Sequence, residues 1–224
     1  MKERKRLVPT ECERRGTEAV LFDFDMTLVD SSIGITYCLN RLAGSFGLAE
    51  VTREEVVGTI GYPMDRAMEM LWGRYDPAWM VHYRERLVPL EYERITPFPG
   101  TREALSSLRD GGLSLGVVSN RKRLALAVER AGLKEYFHSV IGIEDVKNPK
   151  PHPESILLAL MVLGSVAGKT ILVGDSEIDA LAAARAGVGF VGSATGGTGR
   201  EVLWSGGALA VIDDIMELPR VLPR

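Results

Sequence analysis

Three carboxylates crowd the end of an apolar run in "AVLFDFDMTLVDSS", residues 19–32: Asp23, Asp25 and Asp30. A carboxylate is costly to take out of water unless something pairs with it, so acids set directly after a buried strand call for a partner such as a metal ion. Asp175 and Asp179 follow a second apolar run in "TILVGDSEID", Ser119 and Asn120 close a third, and Lys150 stands in "EDVKNPKPHPE". Asp23 and Asp175 offer the hard oxygens that Mg²⁺ takes, usually one or two carboxylates beside several waters. Lys150 and Ser119 suit phosphate oxygens, one as a point charge and the other as a hydroxyl donor. One carboxylate can attack phosphorus to give an aspartyl-phosphate. A second, two residues on, can protonate the leaving oxygen and then activate water. Together these residue types suit phosphoryl transfer.

Such side chains converge only if the fold brings the ends of several strands to one edge. Six short apolar runs, rich in β-branched residues, read as buried parallel strands: 19–24, 113–119, 138–143, 170–175, 188–193 and 209–213. Helical patterns lie between them, among them "TREALSSLRDGG", "RKRLALAVERAGL", "ESILLALMVLG" and "EIDALAAARAG". Strand–helix alternation predicts a doubly wound α/β sheet, whose ligands bind outside the carboxyl ends of the strands. Residues 33–97 break the rhythm. They read as four helices, "ITYCLNRLAGSFGL", "TREEVVGTI", "PMDRAMEMLWGRY" and "PAWMVHYRERLVPLEYERI", before "TPFPG" returns to the core. The expected organisation is an N-terminal extension (1–18), an α/β core (19–32 and 98–224) and a helical insertion (33–97).

Composition narrows the function. The 224 residues are 46% hydrophobic and 25% charged, an ordinary globular profile. A net charge of −3 gives no footprint for nucleic acid. No apolar run approaches the roughly 18 residues of a membrane span. Cys12 and Cys38 are too few for a disulfide framework, and residues 1–18 have six Lys/Arg against four Glu with no apolar segment of a secretory signal. A cytoplasmic protein with reduced thiols is expected.

Taken singly, each residue also has a plainer use. Asp-x-Asp after a strand serves as a turn and helix cap, Ser119-Asn120 as another cap, Lys150 as a solvated charge, and Asp179 as a first-turn helix acid. In order and separation, however, "DFDMTLVDS", "VVSN", "KPHPE" and "GDSEIDALAAARAG" resemble the four motifs of the haloacid dehalogenase superfamily, over about residues 18–220. The resemblance implies a Rossmann-like core with an α-helical cap that closes over the substrate. It implies that Asp23 is the nucleophile and Asp25 the general acid and base. Ser119 and Lys150 would bind the phosphoryl group with Asn120 nearby, and Thr27 would join them or hold the Asp25 region. Asp23, the Asp25 carbonyl and Asp175 would hold Mg²⁺, supported by Asp179.

Within that superfamily, Asp25 argues against dehalogenation, which lacks the second acid. The absence of lysine from 31–100 argues against phosphonoacetaldehyde hydrolysis, which needs a lysine in the cap. The chain is most similar to phosphoglycolate phosphatases, acting on a small phosphorylated metabolite as a monomer or homodimer. A β-phosphoglucomutase-like mutase, disfavoured because Met64 stands near the place of the mutase arginine, and a pyrophosphatase are the alternatives; a binding module of the same fold would have lost an acid, and none is lost. Met26 replaces the usual glycine of the first motif, and is expected to narrow or grease the entrance under the cap and to change substrate choice rather than the reaction. "GSATGGTGR" (192–200) has no P-loop lysine and reads as a flexible loop.

Overall fold

The computed structural model describes residues 16–223; most of the expected N-terminal extension, with Cys12, lies outside them. Strand β1 (Ala19–Phe22) leads to a two-residue antiparallel ribbon, β2 (Val29–Asp30) with β3 (Thr96–Pro97). The remaining strands are β4 (Ser114–Val118), β5 (Ser139–Ile141), β6 (Thr170–Gly174), β7 (Gly189–Ser193) and β8 (Ala210–Ile212). With β1 they form one six-stranded parallel sheet in the order β5-β4-β1-β6-β7-β8. The chain leaves β1 towards β4 and β5, then returns to the other side of β1 at β6. That reversal opens a crevice at the carboxyl ends of the central strands.

Period-two alternation along β1 divides the core. Val20 and Phe22 pack with Leu105 and Leu108 of α6 (Thr101–Asp110) and Val128 of α7 (Leu124–Arg130). Leu21 faces the other way, with Ile156 of α8 (Glu154–Leu163) and Ala183 of α9 (Glu177–Ala186). A short α10 (Arg200–Ser205) and α11 (Leu218–Val221) complete the flanks. Among the described residues no helix is long and apolar enough to cross a membrane.

Between β2 and β3 the chain is helical: α1 (Ser32–Phe46), α2 (Arg53–Val57), α3 (Met64–Trp72), α4 (Pro77–His82) and α5 (Val88–Tyr92). These helices bury an apolar cluster of their own, including Leu39, Leu42, Met68, Trp79 and Tyr83. The single long helix expected at 77–95 is interrupted by a π-helical turn, Tyr83–Leu87. Pro89 explains the break, because it lacks an N–H and its ring crowds the carbonyl four residues back. At the start of α1, Asp30 accepts from the Ser32 backbone at 3.1 Å and pairs with Arg53 at 2.7 Å. A cavity of about 620 Å³ lies between the insertion and the carboxyl ends of the sheet.

Two loops depart from expectation. Met26 does not line the cavity, so it does not narrow the entrance. It is buried, with φ of 58°, and its carbonyl accepts a short hydrogen bond from the Thr195 hydroxyl. The glycine-rich loop after β7 is packed in place: a Cβ on Gly196 would stand 1.8 Å from an Asp175 oxygen, and one on Gly197 3.2 Å from the Val57 carbonyl. At Gly196 a side chain enters only if Asp175 or the loop moves.

Two substitutions test this packing. Gly196→Ala must displace Asp175 or the loop and is expected to cost about 1–3 kcal/mol, lowering Tm by several degrees, whereas Gly199→Ala, with nothing within 4 Å of the new methyl, is expected to leave Tm within about 2 °C. Met26→Gly relieves about 1–2 kcal/mol of left-handed strain but loses about 1.5–3 kcal/mol of side-chain burial, so thermal melting is expected to show a small net loss.

Candidate active site

β1 ends at Phe22, yet the Asp23 amide still donates to the Val173 carbonyl of β6 at 2.8 Å. The first acid is thus pinned to the sheet edge. Lys150 reaches it from the loop before α8: its Nζ donates to Asp23 Oδ1 at 2.8 Å and to Asp179 Oδ1 at 2.6 Å. The lysine backbone is held in turn. Asn120 Nδ2 donates to the Lys150 carbonyl and Asn120 Oδ1 accepts from the Lys150 amide, both at 2.9 Å.

Asp179 occupies the third position of α9 in a capping box with Ser176. Its Oδ2 accepts from the Ser176 amide at 3.2 Å and from the Ser176 hydroxyl, so both of its oxygens carry hydrogen bonds. Gly174 leaves it room, since a Cβ there would lie 2.5 Å from Asp179 Cβ. Thr27 donates to Asp175 Oδ1 at 3.3 Å. It is buried and does not line the cavity, so the phosphate contact expected of it is replaced by support of a carboxylate. Asp23, Asp25, Ser119, Asn120, Lys150, Asp175 and Asp179 all line the cavity.

One oxygen from each of Asp23, Asp175 and Asp179 lies within 4.8 Å of the others. Burial raises Asp23 to about 6, against the pull of Lys150 and with the help of Asp179 and Asp25. Burial likewise holds Asp175 well above the ordinary carboxylate range, reinforced by Asp179 and Asp23. Burial alone would lower Lys150, but Asp179 and Asp23 together outweigh it and hold its ammonium above the usual lysine range. Three acids therefore face one ammonium. That deficit of two positive charges, on hard oxygen donors, fits a divalent metal ion.

Sequence reading missed the partner of Asp25. Arg121 grips that carboxylate bidentately, Nε to Oδ2 at 2.9 Å and Nη2 to Oδ1 at 2.8 Å. Its Nη1 lies 2.7 Å from Glu91 Oε1 in α5, and the Tyr83 hydroxyl donates to Glu91 Oε2 at 2.5 Å. The available signal was an arginine directly after Ser119-Asn120. Of the arginines between β2 and β3, only Arg84 lines the cavity; Arg66 instead pairs with Glu69. Met64 and Asp65 line it too.

Comparison with known proteins gives the family of the chain. The family model described as "Haloacid dehalogenase-like hydrolase" matches residues 20–193. A phosphoglycolate phosphatase of Photorhabdus laumondii is 34% identical over 188 residues, covering 80% of this chain and 80% of that protein. The probable phosphatase IndB of Dickeya dadantii is 33% identical over 184 residues, covering 77% and 79%. The crystal structure of a haloacid dehalogenase-like hydrolase from Bacteroides fragilis superposes with a TM-score of 0.81 at 29% identity, covering 90% of this chain and 99% of that one. With a six-stranded parallel sheet, acids at the ends of β1 and β6 and a match over most of its length, the chain belongs to the haloacid dehalogenase-like hydrolase family.

Proposed function

We propose that the chain is a Mg²⁺-dependent phosphatase that hydrolyses a small phosphomonoester through an aspartyl-phosphate on Asp23. The observation that carries this reading is the shared wall of Asp23, Asp25, Ser119 and Lys150 around one cavity, with Asp175 and Asp179 beside Asp23. Lys150 occupies Asp23 Oδ1, and no protein hydrogen bond to Oδ2 is made among the described residues. That oxygen is the attacking atom in this reading. Ser119 and Lys150 hold the phosphoryl oxygens and keep them aligned with it. Asp25 gives a proton to the leaving oxygen, then takes one from the water that cleaves the acyl phosphate.

Asp23, Asp175 and the Asp25 carbonyl would hold Mg²⁺, and Asp179 would serve them through Lys150 and through water. When bound, the ion offsets negative charge on the transferring group. Asn120 contributes by fixing the Lys150 backbone. The helices between β2 and β3 act as a cap that shuts water out. Both relatives described above are named as phosphatases, which supports hydrolysis. Arg84 gives the cavity wall a cation from the cap, suited to a substrate with a second anionic group. Phosphoglycolate has such a group, and so does a mutase's bisphosphate. Measuring isomer formation alongside phosphate release separates the two.

Phosphate release from phosphoglycolate, pyrophosphate and β-glucose-1-phosphate is expected to require Mg²⁺, to stop with EDTA, and to fall more than ~10³-fold in Asp23→Asn. Release that survives this substitution would sink the reading. The raised Asp23 value also has a sign. Between its ordinary 3.8 and about 6 the folded chain keeps a proton that the unfolded chain has lost, so this group's contribution to metal-free stability falls as pH rises through that interval. Mg²⁺ binds the deprotonated form. The Tm gained from Mg²⁺ is therefore expected to be larger at pH 7.5 than at pH 5, and to vanish in Asp175→Asn.

A further inference from the structure

The phosphatase reading leaves one buried cation without a task. Arg121 follows Asn120 in the loop after β4, and its side chain is 9% exposed. It bridges two carboxylates, Asp25 on the sheet edge and Glu91 in the last helix before β3. Glu91 is 4% exposed and is held on its far side by Tyr83 from the π-turn. A Cβ on Gly34 of α1 would lie 3.0 Å from the Glu91 carbonyl. Glu91 is therefore packed into the helical insertion and travels with it. The result is a continuous chain of one hydrogen bond and two ion pairs, Tyr83–Glu91–Arg121–Asp25, from the insertion to the acid–base carboxylate.

Stability alone does not call for such a chain. Buried ion pairs give back in Coulomb attraction about what desolvation takes, and apolar replacements are often as stable. What the arginine fork supplies is orientation: two parallel N–H donors fix the plane of a carboxylate, which a lysine point charge does not do. We propose that Arg121 is a positioning residue, anchored from the insertion by Glu91 and Tyr83, that sets where the Asp25 carboxyl stands. Asp25 has to carry a proton to the leaving oxygen in one step and take one from a water in the next, so the fork must hold one of its oxygens while the other, protonated, turns to the substrate. The guanidinium is shared, so a shift of Glu91 shifts the grip on Asp25. The seating of the insertion over the cavity and the aim of the acid are thereby one variable. This inference rests on the phosphatase reading and adds to it a residue that, although it also lines the cavity, is assigned to act through Asp25.

The test compares kcat/KM for 4-nitrophenyl phosphate and phenyl phosphate, using the full chain with Mg²⁺. The two are close in shape, but nitrophenolate leaves without a proton and phenolate needs one. Arg121→Lys is expected to lower kcat/KM for phenyl phosphate by ~10–100-fold and for 4-nitrophenyl phosphate by less than about threefold. Glu91→Gln keeps the shape and one acceptor oxygen, and is expected to show the same split at about 3–10-fold. If Arg121→Lys does not fold, as judged by circular dichroism, Glu91→Gln carries the test. Equal losses on both substrates, or a rise in KM alone, would overturn the positioning role while leaving the phosphatase reading intact. A wild-type chain that releases phosphate neither from these two substrates nor from phosphoglycolate, pyrophosphate and β-glucose-1-phosphate would overturn that reading and this one with it.

Discussion

Lys150 is the charge on which the site depends. Its ammonium stands between Asp23 and Asp179 in a region where burial pushes carboxylates towards their neutral forms. Without it three buried acids would crowd one another with no protein cation against them, a state that protonation or unfolding would relieve. Much of the local architecture holds that one nitrogen in place. Asn120 spans from the end of β4 to clamp the lysine backbone at both its amide and its carbonyl. Ser176 turns Asp179 towards it. Gly174 and Gly196 supply the space that Asp179 and Asp175 occupy. Four separate loops converge because the sheet reverses direction at β1, bringing the ends of β1, β4 and β6 side by side.

Much of this was legible in the sequence, and the reason is local. Each of the six strands is a compact apolar run, and each site residue stands within a few positions of a strand end, so a single window shows both the element and its chemistry. Asp23 after "AVLF" and Asp175 after "TILVG" are examples. What escaped reading depends on contacts between distant segments. Arg121 and Asp25 are 96 positions apart, and nothing in "SNRKR" marks the first arginine as the one whose side chain turns inwards and the next two charged residues as exposed. Glu91 looks like any helix-surface acid until Tyr83 and Arg121 close on it. The ribbon of β2 and β3 is two residues long on each side, too short to show alternation. The glycine-rich loop read as flexible because a sequence does not show that Asp175 stands against Gly196.

Met26 illustrates a different limit. A side chain in place of the usual glycine predicts an altered entrance only if it projects into the cavity, and position in a motif does not say which way it projects. Here the backbone keeps the left-handed conformation that glycine would take easily, and the methionine is folded inwards. The local strain is tolerated inside a loop tied at several points: the Met26 amide donates to Val29 at 2.9 Å, and its carbonyl accepts from Thr195.

The two-residue ribbon has a mechanical meaning. Both chain crossings between the sheet and the helical insertion pass through it, zipped together by β2 and β3 and moored where the Phe98 amide and the Thr101 hydroxyl each donate to the Leu28 carbonyl at 3.1 Å. A pair of tethers fastened side by side resists twisting and leaves bending as the soft direction. The insertion is thus a lever with a narrow fulcrum. Glu91 lies five positions before β3, while Tyr62 and Met64, which line the cavity, lie more than thirty positions along the chain from either strand of the ribbon; taken as arms about it, these are the short one and the long one. A swing that carries the long arm far across the cavity would move the short arm only slightly, by the kind of distance over which a hydrogen bond changes its aim without breaking.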